Sequence, residues 1–293
     1  MAKKARIWMR GAIGDLVILN SIVNGLMKRK RIKKVNLVVT GPVNKETIHE
    51  LYQISTLNYN SLDYYKSNTS SGLEFQDSWI RAYEKRTGCT IDIALNHVSS
   101  DSNGLKILEA DEICPFVPRD YSSVKYHPSN LIIPWKKYVL ICPFGGSNPR
   151  WKSDRAYEYY QKIVDYFIKE TDYTVVFAGK WSDDTPEGFG NFNVDKSDKL
   201  RVRYIYNNTT IGDMIALIRG SEIGVYFDSG IKNLAFIHGN KNMVVYDDSH
   251  RNARPAEAWF PPQFHTPDNI YLNINKGLEN REDYLRKIME DFI

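Results

Sequence analysis

Apolar and polar positions follow two periods along this chain, and the switches between them outline its elements. An apolar-rich run over residues 6–10 predicts a strand. Gly11-Ala12-Ile13-Gly14-Asp15 follows it, and then Leu16, Leu19, Ile22, Val23, Leu26 and Met27 recur at the spacing of one helix face. That helix ends in Lys28-Arg29-Lys30-Arg31, positive charge that complements a helix C-terminus. A second strand over 35–39 stops at Thr40-Gly41-Pro42, and a short helix over 45–51 comes next. Residues 58–71 are polar, rich in Asn, Ser and Tyr, and predict a loop. A helix over 74–86 and short strands over 91–95 and 112–116 complete the first half. Residues 118–136 hold Pro118, Pro128 and Pro134 and no clear period, which predicts a linker.

The second half restarts the same theme. Residues 138–143 predict a buried strand, Gly145-Gly146-Ser147-Asn148-Pro149 a turn, and residues 154–170 a helix capped by Ser153 or Asp154. Strands over 174–178, 202–206, 224–227 and 243–246 follow, with helices over 211–219 and 232–238 between them. The last segment, 279–292, sets Leu285, Ile288, Met289 and Phe292 on one face. Strands alternating with helices imply parallel sheets with crossover helices. The restart predicts two tandem α/β domains, 1–136 and 137–293, with the last helix free to pack back on the first. Ligands in such folds sit at the carboxyl ends of the strands, and a cleft between two such domains is a natural site.

Composition narrows the picture. At about 100–200 residues per domain, 293 residues fit two domains. An apolar content of 42% and a charged content of 25% exclude a disordered chain, a collagen and a coiled coil. Cys89, Cys114 and Cys142 are far apart and form no C-x-x-C, so neither a disulfide framework nor a zinc knuckle is expected, and a reducing compartment fits. No stretch approaches the roughly 18 apolar residues of a membrane span, and the first residues lack the apolar core of a signal peptide. The chain is therefore expected in the cytoplasm, with peripheral contact to the inner membrane left open. The net charge of +4 permits an anionic ligand without demanding one. Six of the seven residues from Lys28 to Lys34 are basic, a solvated helix end or a face for phosphates. The six histidines show no metal-ligand spacing, and neither a Walker sequence nor a G-x-S-x-G elbow is present.

Three constellations carry candidate chemistry. In the first, Gly11 and Gly14 let the backbone turn sharply after a strand, and Asp15 stands at a helix start, as a cap or as a carboxylate facing a ligand. The second is Pro143-Phe144-Gly145-Gly146-Ser147-Asn148-Pro149-Arg150-Trp151-Lys152. It is either a phosphate cradle backed by Arg150 and Lys152 or an ordinary strand-to-helix loop. The third is Asp228-Ser229-Gly230-Ile231-Lys232-Asn233, between a strand and an apolar helix. It can hold a pyrophosphate on the helix N–H groups with Lys232 beside them, or be a simple cap.

Together and in this order, the three constellations resemble glycosyltransferase family 9, the bacterial lipopolysaccharide heptosyltransferases. Gly14-Asp15-Leu16-Val17 matches the family's Gly-Asp at the first helix. Cys142-Pro143-Phe144-Gly145-Gly146 leading to Arg150-Trp151 is similar to its second-domain opening, which ends in a Lys-Arg-Trp-like run. Asp228-Ser229-Gly230-Ile231-Lys232-Asn233-Leu234-Ala235 is similar to its late Asp-Ser/Thr-Gly signature. Pro149 stands where the family has Lys, and Asn233 where it has His, which leaves Lys152, Lys180 and Lys232 as substitute cations.

The resemblance implies a GT-B architecture: two Rossmann-like domains with parallel sheets facing across a cleft. The first domain would bind the acceptor and the second the nucleotide sugar. It implies an inverting, metal-independent glycosyltransferase with no cofactor. Asp15 would be the catalytic base, and Gly11 and Gly14 would shape the acceptor-side loop. The donor would be held by Gly145, Gly146, Ser147, Arg150, Lys152, Asp228, Ser229, Gly230 and Lys232. Gly179 and Asp183, with Asp184 nearly equivalent, are the candidates for the donor ribose. The acceptor is a hydroxyl on a saccharide, a lipid-linked or surface glycan, or a nucleic acid. Two alternatives stand beside this: another nucleotide-sugar enzyme on the same fold, such as an epimerase, and a degenerate nucleotide-binding module.

Overall fold

The computed structural model describes residues 4–67, 73–96, 123–144, 153–180, 185–247, 266–275 and 281–293. It forms two compact units, Met1–His127 and Pro128–Ile293.

The first unit runs β1 (Lys4–Arg10), α1 (Ile13–Lys30), β2 (Lys34–Gly41), α2 (Lys45–Gln53), β3 (Ser61–Lys66), α3 (Leu73–Thr87) and β4 (Ile93–Asn96). All four strands are parallel, in the order β3-β2-β1-β4. Strand β3 falls inside the segment expected to be a loop. It is an edge strand whose residues are half-buried or exposed, so its sequence carries little apolar signal, while Tyr64 and Tyr65 suit a strand. One face of the sheet is covered by aromatics. Trp8 stacks on Trp79 at 5.8 Å, and Trp79 on Tyr83 at 5.4 Å.

Helix α1 is buried along most of its length, and its buried residues include two polar ones, Asn20 and Ser21. The Tyr52 hydroxyl donates to Asn20 Oδ1 at 2.8 Å, and Asn20 Nδ2 donates to the Tyr126 hydroxyl at 3.0 Å. Both amide functions are thereby satisfied in the core.

The second unit runs β5 (Tyr138–Cys142), α4 (Asp154–Glu170), β6 (Thr174–Phe177), β7 (Val202–Tyr204), α5 (Ile211–Gly220), β8 (Ile223–Phe227), α6 (Gly230–His238), β9 (Lys241–Tyr246), β10 (Asn269–Asn273) and α7 (Arg281–Phe292). Its six parallel strands lie in the order β10-β9-β8-β5-β6-β7. The sequence pattern does not predict strand β10; like β3 it is an edge strand, with Asn at both ends. Helix α4 begins at a Ser153 cap, whose Oγ accepts from Ala156 N–H at 3.2 Å. At its other end the Arg201 guanidinium donates to the carbonyls of Phe167, Ile168, Thr171 and Tyr173, which satisfies acceptors that a helix C-terminus leaves open.

Two expectations are corrected. By sequence the last helix is free to pack back on the first domain. Instead Leu285, Met289 and Phe292 of α7 join Tyr159, Ile163 and Phe167 of α4 in the core of the second unit. The division between units also falls earlier than residue 136. His127 N–H is held by the Ile54 carbonyl at 2.7 Å, on the first unit. Ser129 N–H is held by the Gly212 carbonyl at 3.0 Å, on the second. The rest of the expected linker, up to the start of β5, therefore belongs to the second unit. The strand expected over 112–116 lies outside the described residues.

Candidate functional site: two switch points

In an open parallel sheet, ligands gather outside the carboxyl ends of the strands where the strand order reverses. The second sheet is built outward in both directions from β5, the order of a dinucleotide-binding fold, so its reversal lies between β5 and β8. The first sheet has the same order over four strands, and its reversal lies between β1 and β4. The glycine turn of residues 11–15 leaves the carboxyl end of β1. Residues 143–152 leave β5 and residues 228–232 leave β8, so the two proposed donor segments start from adjacent strands, with Cys142 opposite Tyr226.

Gly11 is needed at its position. A Cβ built on it would lie 2.3 Å from Asp15 Cβ, because the Asp15 side chain folds back over the turn. The Asp15 carboxylate accepts from Ala12 N–H at 2.8 Å. Asp15 is thus the third residue of α1 and caps the residue ahead of the helix, half of a capping box. Ala12 has no side-chain acceptor to supply the other half. Gly41 also permits close approach, since a Cβ there would lie 2.3 Å from the Gly11 carbonyl oxygen.

Helix α6 starts differently. Its N-cap is Ser229, with extended backbone and no side-chain cap bond. The Ser229 Oγ is buried and has no hydrogen-bond partner among the described residues. Asp228 and Lys232 form an ion pair across the first turn, with side chains 29% and 12% exposed. The Asp228 N–H continues the ladder to the Val245 carbonyl at 2.9 Å, which fixes the turn on the sheet.

The remaining described N-caps, at α2, α4 and α5, are all closed by side chains. Asn44 accepts from Thr47 N–H, Ser153 from Ala156, and Thr210 from Asp213. Among the described α-helix N-caps, those without a side-chain bond are therefore at α1 and α6, and both stand at a reversal of strand order. Helix N-termini carry partial positive charge and attract anions.

Gly179 follows β6 with φ of +130°, which favours glycine, and a Cβ there would lie 2.7 Å from Phe144 Cδ2. It lets the Phe144 ring, which also meets the Tyr206 ring at 5.0 Å, lie beside the end of β5. Gly145, Gly146, Ser147, Arg150, Lys152 and Asp183 lie outside the described residues.

Two polar residues at the first reversal escaped the sequence reading. Arg10, the last residue of β1, is 7% exposed, and burial lowers its pKa. Thr40, opposite it on β2, is fully buried and its Oγ1 has no partner among the described residues. The signal available was a charged residue closing an apolar strand just ahead of a glycine turn.

No protein-family model matches the sequence, and none of the curated proteins matches it by sequence. Solved structures do match in fold. E. coli ADP-heptose lipopolysaccharide heptosyltransferase II superposes with a TM-score of 0.61 at 14% identity, over 97% of this chain and 98% of that one. The chain has the two-sheet α/β fold of the heptosyltransferases. A glycosyltransferase of family 9 from Veillonella parvula gives 0.54 at 13% identity, over 99% of this chain and 90% of that one. A putative UDP-N-acetylglucosamine 2-epimerase from Listeria monocytogenes gives 0.60 at 11% identity, over 99% of this chain and 89% of that one. Among the described residues no helix is long and apolar enough to cross a membrane. Among those same residues no group of three His, Cys, Asp or Glu is placed to hold a metal ion.

Proposed function

We propose that this protein is an inverting, metal-independent glycosyltransferase that moves a sugar from a nucleotide-diphosphate-sugar to an acceptor hydroxyl. The observation that carries this reading is the start of α6. A buried hydroxyl without a partner, an open helix N-terminus and a held lysine meet at the reversal of the second sheet. Such a set is suited to a pyrophosphate. The Gly230 and Ile231 N–H groups and the Ser229 hydroxyl would donate to it, and Lys232 would offset part of its charge. We assign Arg150 and Lys152 to the same diphosphate, and Gly179 and Asp183 to the donor ribose.

Asp15 is the proposed base at the other reversal. The acceptor oxygen attacks the anomeric carbon from the face opposite the diphosphate. The bond from that carbon to the phosphate oxygen breaks, and the nucleotide diphosphate leaves with the electron pair. The acceptor proton passes to Asp15, and the anomeric configuration inverts. Accepting a bond from Ala12 N–H holds the carboxylate in place at the turn. No metal is invoked in these steps, so activity should survive a chelator. We place the enzyme in the cytoplasm, in keeping with its cysteine usage.

A panel of nucleotide diphosphates and nucleotide sugars, scored by thermal shift, tests the donor side. A ligand at about 100 times its Kd adds roughly 2.7 kcal/mol of stability. One selective nucleotide supports the reading; none, in a protein shown to be folded, sinks it. An epimerase shares the fold, and product analysis separates the two readings. An epimerase converts the donor sugar alone, whereas a transferase releases nucleotide only as an acceptor is consumed.

A further inference from the structure

Away from both reversals, the second unit holds apolar side chains out in water. Among the described residues the most exposed large apolar side chains are Ile132 and Leu200, at 88% and 76%. Both stand at the amino-terminal edge of the second sheet, opposite the strand ends that carry the proposed donor site. Ile132 belongs to the segment that enters β5, and Leu200 to the single turn, Lys199–Arg201, that enters β7. Only β6 separates those two strands, so their starts lie about 10 Å apart.

Neither side chain is exposed by fraying. Leu131 N–H donates to Ser129 Oγ at 3.2 Å, a Cβ built on Gly220 at the end of α5 would lie 3.2 Å from Ile133 Cδ1, and the Trp135 ring meets the Tyr138 ring at 5.9 Å. The chain is thus fastened on both sides of Ile132. Leu200 directly precedes Arg201, whose guanidinium is fixed by four backbone carbonyls. A lone exposed aliphatic is ordinary. Here Leu131, Ile132 and Pro134 are exposed in one run, and Leu200 shares their edge, which makes a patch. The edge is also positive. Asp172 pairs with Lys137 at 3.4 Å and Asp198 with Arg201 at 3.7 Å. Exposed and outside any ion pair among the described residues are Lys136, Lys169, Lys199 and Arg219, against Asp195 and Glu222.

We infer that this edge is a docking surface for an anionic lipid bilayer. Ile132 and Leu200 enter the headgroup layer, and Lys136, Lys199 and Arg219 meet the lipid phosphates. A protein partner would have to bury these cations, at a cost, to reach the apolar side chains between them. A bilayer takes the aliphatic tips and leaves the charges among its headgroups. Bound in this way, the second unit turns the carboxyl ends of its strands away from the lipid. Docking therefore needs neither nucleotide nor acceptor, and it stands apart from the transferase reading.

Vesicle co-sedimentation of the full chain tests this, with vesicles of phosphatidylcholine alone or mixed with an equal part of phosphatidylglycerol. The wild type should bind the mixed vesicles at least about tenfold more tightly than the neutral ones, since each basic residue near an anionic surface is worth about fivefold. Lys136→Gln should lower that binding by about fivefold. Ile132→Ser combined with Leu200→Ser should lower it by about tenfold or more, through lost apolar insertion. The melting temperature of the double variant should stay at the wild-type value, because both side chains already face water. Equal binding to the two vesicles, no binding to either, or binding that the double variant retains in full overturns the proposal. So does a wild-type dimer that the double variant turns into a monomer, read by light scattering, because a second copy would then cover the edge. Nucleotide and acceptor are absent throughout, so a thermal-shift panel that selects no nucleotide would sink the donor reading and leave this result standing.

Discussion

The starts of α1 and α6 occupy comparable places in their two units and are furnished in opposite ways. Both follow a strand at a reversal of order, and neither N-cap makes a side-chain bond. At α1 the protein supplies the negative charge itself, as Asp15, bonded to Ala12 N–H. At α6 it supplies a buried hydroxyl without a partner among the described residues and a lysine paired with Asp228, the residue ahead of the N-cap. The same backbone geometry is thus prepared for a proton acceptor in one unit and for an anion in the other. Topology selects the place, and one or two side chains select the chemistry.

The sharpest way to break this comparison is at Asp15, where a cap and a base are both available roles. Asp15→Asn keeps an oxygen that can accept from Ala12 N–H but cannot take a proton. If Asp15 is the base, transfer should fall by about 10²–10⁴-fold while stability changes little. Asp15→Ala should lose activity to the same extent and also about 1 kcal/mol of stability. Urea melts beside initial rates separate the roles. An active Asp15→Asn would reduce Asp15 to a cap.

The next largest effect is expected at Ser229. A serine that caps its helix costs roughly 0.5–2 kcal/mol when replaced by alanine. Ser229 makes no such bond, so Ser229→Ala should leave the ligand-free protein within about 0.5 kcal/mol of wild type. Its nucleotide affinity should fall by about ten- to a hundredfold, one hydrogen bond to a charged group. Calorimetric titration with the nucleotide that the shift panel selects reads this directly.

Thr210 is the matched control, an N-cap of the same unit that is closed. Its Oγ1 accepts from Asp213 N–H at 3.1 Å, and Asp213 returns a bond to Thr210 N–H at 3.0 Å. Thr210→Ala should cost about 1 kcal/mol in the ligand-free protein and leave nucleotide affinity unchanged. The pair Ser229 and Thr210 therefore sorts binding from stability on one scaffold. Equal stability losses at the two sites would remove the distinction between open and closed caps.

The sequence made the strand and helix pattern legible wherever burial was two-sided. The predicted helix over 154–170 agrees with α4 residue for residue, because its apolar face and its Ser153 cap are both strong local signals. The missed strands, β3 and β10, are edges, where one neighbour and partial exposure leave little periodicity to read. At the site, Asp15 and Ser229 could be read from glycine turns between a strand and a helix. Arg10 and Thr40 could not, because their interest lies in register across strands far apart in the chain. Nor could the sequence tell an open cap from a closed one. Ser153 and Ser229 look alike until the hydroxyl of one is seen to meet an N–H and that of the other none.

The smallest effect concerns Asp213, which completes the closed cap and ties it to the chain entering the second unit. Burial opposes the ionised form of this carboxylate, but bonds from the Ser129 hydroxyl and from Thr210 outweigh it and lower its pKa below the usual aspartate value. A carboxylate depressed in the folded state adds stability above its unfolded pKa, and that stability is lost as pH falls through the folded value. Asp213→Asn should therefore be less stable than wild type at neutral pH, and the gap should close below about pH 4. Paired urea melts at several pH values measure it. A gap that stays constant with pH would mean that packing, and not charge, holds the chain between His127 and α5 in place.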